Sequence, residues 1–228
     1  MRLQDSCWTW LLKTSRTEMA RKTKAEAYQT RLRIIEAARK VFHECGISRS
    51  TLGQVAQAAG LTRGAVYWHF DNKAALFFSM RDQASEELKH ARSILLSSGF
   101  PNPLDALERS LLLFFQVIEN NPSVRQTFEI MSLRCEYVDE FTNVLAEVSQ
   151  PCVDFLISLK KIYAKAGTLN LLRTGLEPDA LAYDTLSFTT GLFRNLLAGM
   201  EDEDFRLRVP AMITNHVSLR RREGDTRR

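Results

Sequence analysis

Residues 46–73 read GISRSTLGQVAQAAGLTRGAVYWHFDNK, and the fold turns on this stretch. Ser50 or Thr51 is placed to cap a short helix carrying Leu52, Val55, Ala56 and Ala59, which stops at Gly60. A hydroxyl oxygen takes the orphan N–H groups of a first turn, and glycine accepts the left-handed conformation that ends a helix. Thr62 repeats the capping signal for a second short helix over 63–70. Two short helices joined by a glycine-containing turn make a helix-turn-helix.

Upstream, Ile34, Ile35, Ala38, Val41 and Phe42 recur at helical spacing, which predicts a helix over 25–45 that Gly46 terminates. Downstream, Asp71 or Asn72 caps a fourth helix running from Lys73 to the Ser-Ser-Gly-Phe-Pro punctuation at 97–101. Further helices read over 103–119, 122–134, 139–166, 178–198 and 204–220; three of them carry proline in the first turn, where its missing N–H costs least. Pro210 kinks the last of these or starts it. With no Asn-Gly or Asp-Gly turn and no sustained alternation, the fold class is all-α. The expected organisation is a three-helix module with a helix-turn-helix over 19–73, then a larger helical domain over 74–228, linked by the helix over 73–97. Residues 1–18, which lack a capped period, are expected to be a disordered, mobile extension, with the functional start at Met19.

Composition narrows the function. The 228 residues are 45% hydrophobic and 25% charged, an ordinary globular balance. No apolar run approaches the roughly 18 residues of a membrane span. Cysteines 7, 45, 135 and 152 form no CxxC pair, and CWTWLL at 7–12 is too short for a signal sequence, so a cytoplasmic protein is expected. Residues 19–73 hold ten Lys and Arg against four Asp and Glu, whereas 74–228 hold 18 against 21. A basic module joined to a mildly acidic one points to a polyanion as partner.

The helix-turn-helix residues suit double-stranded DNA. Arg63 in the first turn of the second helix presents a guanidinium to guanine O6 and N7. Gly64 and Ala65 allow close approach to base edges, while Tyr67, Trp68 and His69 fan toward phosphates. Trp68 fits core equally well; Val66 and Phe70 are read as core. Lys73 adds a cation at the start of the fourth helix, and Thr51 and Thr62 can share their hydroxyls with phosphate oxygens. Arg21, Lys22 and Lys24 suit a solvated tail or an arm entering the minor groove. One short helix reads few base pairs, so a homodimer on a palindromic operator is expected.

Within this frame, TLGQVAQAAGLTRGAVYWHF at 51–70, together with Asn72 and Lys73, resembles the DNA-binding signature of the TetR family of one-component repressors. MARKTKAEA at 19–27 and the stretch from Arg125 to Val138, with Arg134-Cys135-Glu136-Tyr137, are similar to the AcrR-like branch that controls multidrug efflux operons. The resemblance covers nearly all of residues 19–222. It implies dimerisation through the last two helices, a pocket for lipophilic small molecules and an adjacent efflux pump as the regulated gene. The alternative is a regulator answering a metabolite or a partner protein. Residues 1–18 and Pro210 depart from the pattern.

The expected dimer residues are Leu181, Leu192, Leu196, Leu197, Ile213 and Val217. The expected effector lining is Phe77, Phe78, Met80, Phe114, Phe115, Met131, Phe155 and Phe188, with Gln116, Asp154 and Asn195 as orienting polar groups. GxSxG, HExxH, GxGxxG and P-loop signatures are all missing, so an enzyme is not expected, nor a cofactor or metal site; His43 and Cys45 point apart on a helix. Cys135 reads as core rather than a redox sensor, and His90 and His216 as exposed.

Overall fold

The computed structural model describes residues 6–96, 99–137, 141–142, 144–199 and 203–222, with side chains from residue 23 onward except at residue 203. Ten helices lie among them: α1 Ser6–Cys45, α2 Leu52–Ala58, α3 Arg63–His69, α4 Lys73–Glu87, α5 Lys89–Leu95, α6 Pro103–Asn120, α7 Pro122–Leu133, α8 Val144–Thr168, α9 Pro178–Leu197 and α10 Glu203–Ser218.

The caps fall where the sequence puts them. Thr51 forms a reciprocal capping box with Gln54, Thr62 Oγ1 accepts the Ala65 N–H at 3.2 Å, and Asn72 Oδ1 accepts the Ala75 N–H at 2.8 Å. Gly46 and Gly60 take φ of +76° and +63° and so end α1 and turn the chain between α2 and α3.

Three boundaries differ from expectation. Helix α1 begins at Ser6 rather than near residue 25, since neither glycine nor proline precedes Gly46 to interrupt it. The expected extension at 1–18 is therefore helical from Ser6, and residues 1–5 lie outside the described residues. The fourth helix is two: it breaks at the buried Leu88, after which α5 follows α6, with Ser110 Oγ donating to the Ala91 carbonyl at 2.8 Å. Helix α8 starts at Val144, the expected start at 139 lying outside the described residues, and α10 runs through Pro210.

The apolar side chains form two cores. The first gathers Ile34, Ile35, Ala38 and Phe42 of α1, Val55 of α2, Val66 of α3 and Leu76, Phe77 and Met80 of α4, and it takes in Ile130 and Met131 of α7, Phe141, and Val144 of α8. The second is built on Leu107, Leu111, Phe115 and Ile118 of α6, Leu159 and Tyr163 of α8, Leu192 and Leu196 of α9 and Ile213 and Val217 of α10. Helix α4 leaves the first core and ends in the second at Ala84 and Leu88; α7 starts in the second at Val124 and ends in the first. Phe128 packs on both. These two helices are the struts between the modules. The loop after α8 is closed by the chain's end, where Arg173 N–H donates to the Arg220 carbonyl at 2.9 Å and Arg222 N–H to the Leu171 carbonyl at 2.8 Å.

Candidate nucleic-acid interface

Helix α3 buries one side and presents the rest. Val66 and the following Phe70 are 0% and 3% exposed, whereas Tyr67 and Trp68 are 54% and 74% exposed, so Trp68 is no core residue. Arg63, Thr62 and Gly64 are exposed as well, and Ala65 is half-buried. Thr62 uses its lone pair on the helix cap and retains its hydroxyl proton for a phosphate oxygen. Thr51 is exposed, although its hydroxyl also reaches Gln54 Oε1 at 3.1 Å. A cation, a phenol, an indole and a hydroxyl thus project from one short helix and its cap, the donor set that base edges and phosphates require.

His69 is half-buried and edge-on to Trp68 at 4.5 Å. Burial, and then the Arg31 charge, hold its pKa below 6.5, so near pH 7 it is a neutral hydrogen-bonding group rather than a cation. Lys73 is half-buried, with Nζ donating to the Ile47 carbonyl at 3.2 Å, which places its charge beside the loop before α2. Lys24 is exposed on α1; the side chains of Arg21 and Lys22 lie outside the described residues.

Arg31, which the sequence reading passes over, braces this unit. Its guanidinium lies 4.9 Å from the Phe70 ring centroid and donates to Ser79 Oγ at 2.7 Å, joining α1 to the end of α3 and to α4. Its position three residues before Ile34, on the apolar side of α1, was the available signal.

A second missed residue, Arg39, sits where the two cores meet. It is 3% exposed, and its guanidinium donates to Thr127 Oγ1 of α7 at 3.1 Å, to Gln83 Oε1 of α4 at 3.1 Å and to Glu36. Close by, His43 Nε2 lies 2.7 Å from Glu129 Oε2; Glu129 Oε1 accepts from Arg125 Nε at 2.9 Å, and Arg125 Nη2 reaches the Leu196 carbonyl of α9 at 3.4 Å. Polar contacts therefore run from α1, behind the helix-turn-helix, to α9.

The expected effector lining does not come together. Phe77, Met80 and Met131 are inside the first core with Phe78 against it, while Phe115 is inside the second with Phe114, Phe155 and Phe188 against it. Gln116, Asp154 and Asn195 face solvent, because a residue next to one that points inward is turned about 100° away on a helix. A cleft of about 860 Å³ opens instead between α1, α4 and the start of α7, with Gln29, Arg33, Glu36, Gln83, Glu87 and Asn121 among the residues on its walls. None of the expected residues lines it. Against the second core Phe114, Phe193 and Phe128 form an aromatic run, with centroids 5.7 and 5.3 Å apart.

The expected dimer residues lie inside the protomer. Leu181, Leu192, Leu196, Leu197, Ile213 and Val217 are between 0% and 7% exposed and belong to the protomer's own core. Apolar character identified them as buried without saying by what. Outward positions include Tyr183, Ser187, Gly191 and Arg194 on α9 and Leu207, Ala211 and Asn215 on α10.

His216 is buried, not exposed: it stacks on Phe188 at 3.8 Å, and its Nε2 lies 3.0 Å from Thr185 Oγ1, which in turn meets the Tyr163 hydroxyl at 2.6 Å. His90 is exposed as expected. Cys135 is half-buried, and burial pushes its thiol up to about 11, far from the thiolate that a redox sensor needs.

Known proteins match this arrangement. Residues 34–80 match the model of bacterial regulatory proteins of the tetR family, and residues 102–221 match the C-terminal region of MAATS-type transcriptional repressors. The HTH-type transcriptional regulator TtgR of Pseudomonas putida is 32% identical over 179 residues, covering 78% of this chain and 85% of TtgR. The structure of NalD, secondary repressor of the MexAB-OprM multidrug efflux pump in Pseudomonas aeruginosa, superposes with a TM-score of 0.76 at 28% identity, covering 86% of this chain and 99% of NalD. SmeT of Stenotrophomonas maltophilia in complex with triclosan does so with a TM-score of 0.71 at 27% identity, covering 86% of this chain and 93% of SmeT.

Proposed function

Since the chain belongs to the tetR family of bacterial regulatory proteins, we propose that it is a cytoplasmic, dimeric, DNA-binding repressor of a multidrug efflux operon that a lipophilic molecule releases from a palindromic operator. The observation that carries the DNA reading is the outward set on α3, Arg63, Tyr67 and Trp68, on a module with a net charge of +6 over residues 19–73. Among the described residues no helix is long and apolar enough to cross a membrane.

Dimerisation through the outward sides of α9 and α10 sets two copies of α3 about one DNA turn apart, the spacing that a palindrome in the major groove demands. The aromatic run packs against the second core, and an effector enters by displacing Phe114, Phe128 or Phe193. The triclosan complex of SmeT supports an apolar aromatic effector. Displacement there acts on α7 and α4, which continue into the first core, and on the Arg125–Glu129–His43 contacts. The shift required is about 1–3 kcal/mol of coupling between the two sites.

The test starts from an operator selected by the protein from randomised duplexes. Triclosan is expected to raise the melting temperature and release that duplex. If it and other lipophilic aromatics do neither, the reading gives way to a metabolite-responsive or partner-responsive regulator. On the DNA side, Arg63→Ala should cost about 1–3 kcal/mol of discrimination at one base position per half-site. Lys73→Ala should weaken all sequences alike and reduce the log–log salt slope by about 0.9 for each phosphate that the ammonium neutralises. Tyr67→Phe and His69→Ala should weaken all sequences alike with the slope unchanged, since neither side chain is cationic at pH 7. Equal weakening on specific and random DNA for Arg63→Ala would place that residue on phosphate instead.

A further inference from the structure

Gly53 is the second residue of α2 and has no backbone reason to be glycine: it lies in ordinary right-handed helix, unlike Gly46 and Gly60 with their positive φ. At such a position alanine is the better helix former. The space beside it explains the choice. A Cβ at Gly53 would lie 2.8 Å from Arg63 Nε and 2.9 Å from Nη2, closer than a Cβ approaches a non-bonded atom, and 3.1 Å from Cζ, a tight contact. The guanidinium of α3's first residue is therefore laid across the bare backbone of α2. Nothing else fixes it: no ion pair or hydrogen bond holds Arg63 among the described residues, whereas Arg31 and Arg39 are each bonded in place. Gly64 makes the contrast. A Cβ there would meet only Thr62 Oγ1, at 4.0 Å, so no neighbour in the protein fills its space.

We infer that Gly53 is a specificity-determining residue that acts through Arg63: the missing side chain sets the position from which the guanidinium approaches a base edge. This rests on the reading of Arg63 as the base-contacting residue. A bidentate contact to guanine has strict geometry, and a side chain with several rotatable bonds meets it reliably only when its resting position is restricted. The surface of α2 supplies that restriction. A methyl group at residue 53 expels the flexible end of Arg63 without disturbing the backbone, so the module keeps its fold while the guanidinium loses its seat.

The experiment is a double-mutant cycle on the intact protein with Gly53→Ala, Arg63→Ala and both together, measured on the selected duplex and on its single-base variants. Arg63→Ala is expected to reduce preference at one base position per half-site by about tenfold. Gly53→Ala should reduce preference at that same position by about threefold or more, with the melting temperature equal to or above that of the starting protein. In the Arg63→Ala background the Gly53 change should have no further effect on preference. If Arg63→Ala lowers preference and Gly53→Ala does not, the inference fails while the reading of Arg63 stands. If Arg63→Ala leaves preference unchanged, the reading fails and the inference with it. A Gly53→Ala effect that persists without Arg63 would assign the residue to close approach of the DNA backbone and overturn the proposal. Gly53→Ser, with a comparable Cβ, should reproduce the alanine result.

Discussion

Leu192→Glu should unfold the C-terminal helices rather than release folded monomers. Leu192 is 4% exposed and packs in the second core with Leu196, Tyr163 and Ile213. Removing a buried leucine side chain costs about 2–5 kcal/mol through forfeited transfer energy and cavity, and an unpaired buried carboxylate adds several more. Against a typical total of about 5–15 kcal/mol the sum is decisive. Circular dichroism should show loss of helix and of the cooperative thermal transition. Leu207→Glu is the control: at 74% exposed on the outer side of α10, it should leave helix content and melting temperature in place. Sedimentation should show it weakening the dimer, as expected if the outward sides of α9 and α10 meet in the assembly. A well-folded Leu192→Glu monomer would overturn this packing and return the interface to the buried residues.

Acid should destabilise the protein through His216, ahead of any general loss of carboxylate pairing. Burial, and then the neighbouring Arg220 charge, lower its pKa from 6.5 to about 4, partly opposed by Asp184. Above pH 6.5 the imidazole is neutral in both folded and unfolded chains and contributes no pH dependence. Between pH 6.5 and 4 the unfolded chain binds a proton that the folded chain refuses, so stability falls as pH falls; below pH 4 both forms are protonated and the effect levels off. The decline over that window is about 2–3 kcal/mol, with exposure to solvent trimming the full value of the shift. The imidazole stacks flat on Phe188 with Nε2 3.0 Å from Thr185 Oγ1, and protonation would add a second cation beside Arg220 in this buried position. Urea titrations at pH 7.5, 6.0 and 5.0 should show the decline in the starting protein and a flatter profile for His216→Gln. Parallel decline of the two proteins would remove His216 as the cause.

The helices and their caps were legible because the signals are local. Thr51, Thr62 and Asn72 act on groups within three residues of themselves, and Pro103, Pro122 and Pro178 each mark a first turn. The outward set on α3 was legible for the same reason, since Val66 and Phe70 fix which side is buried. The break at Leu88 was not, because no glycine or proline marks it and its cause is the packing of α5 on α6. Apolarity announces that Leu192 or Phe77 is covered but not which element covers it, and so it could not separate dimer or effector residues from the protomer's own core. Arg39 and His216 were missed for the converse reason. A polar side chain reads as solvated until its partners, here Thr127 and Gln83 or Thr185 and Tyr163, are brought beside it by the fold.

The first core's use of Ile130, Met131, Phe141 and Val144 limits how such a regulator can be rebuilt. The punctuation at 97–101 invites a cut there, joining this DNA reader to the sensing half of another regulator to make a hybrid biosensor. Such a cut strips the reader of part of its own interior, and the graft inherits a foreign α7 pressed against Phe77 and Phe42. Seamless exchange requires a split cassette, in which the reader carries along the end of α7 and the start of α8, or the replacement half is repacked at those positions. Diversification by recombination in this lineage is therefore constrained at a seam far from the point where the chain shows its joint.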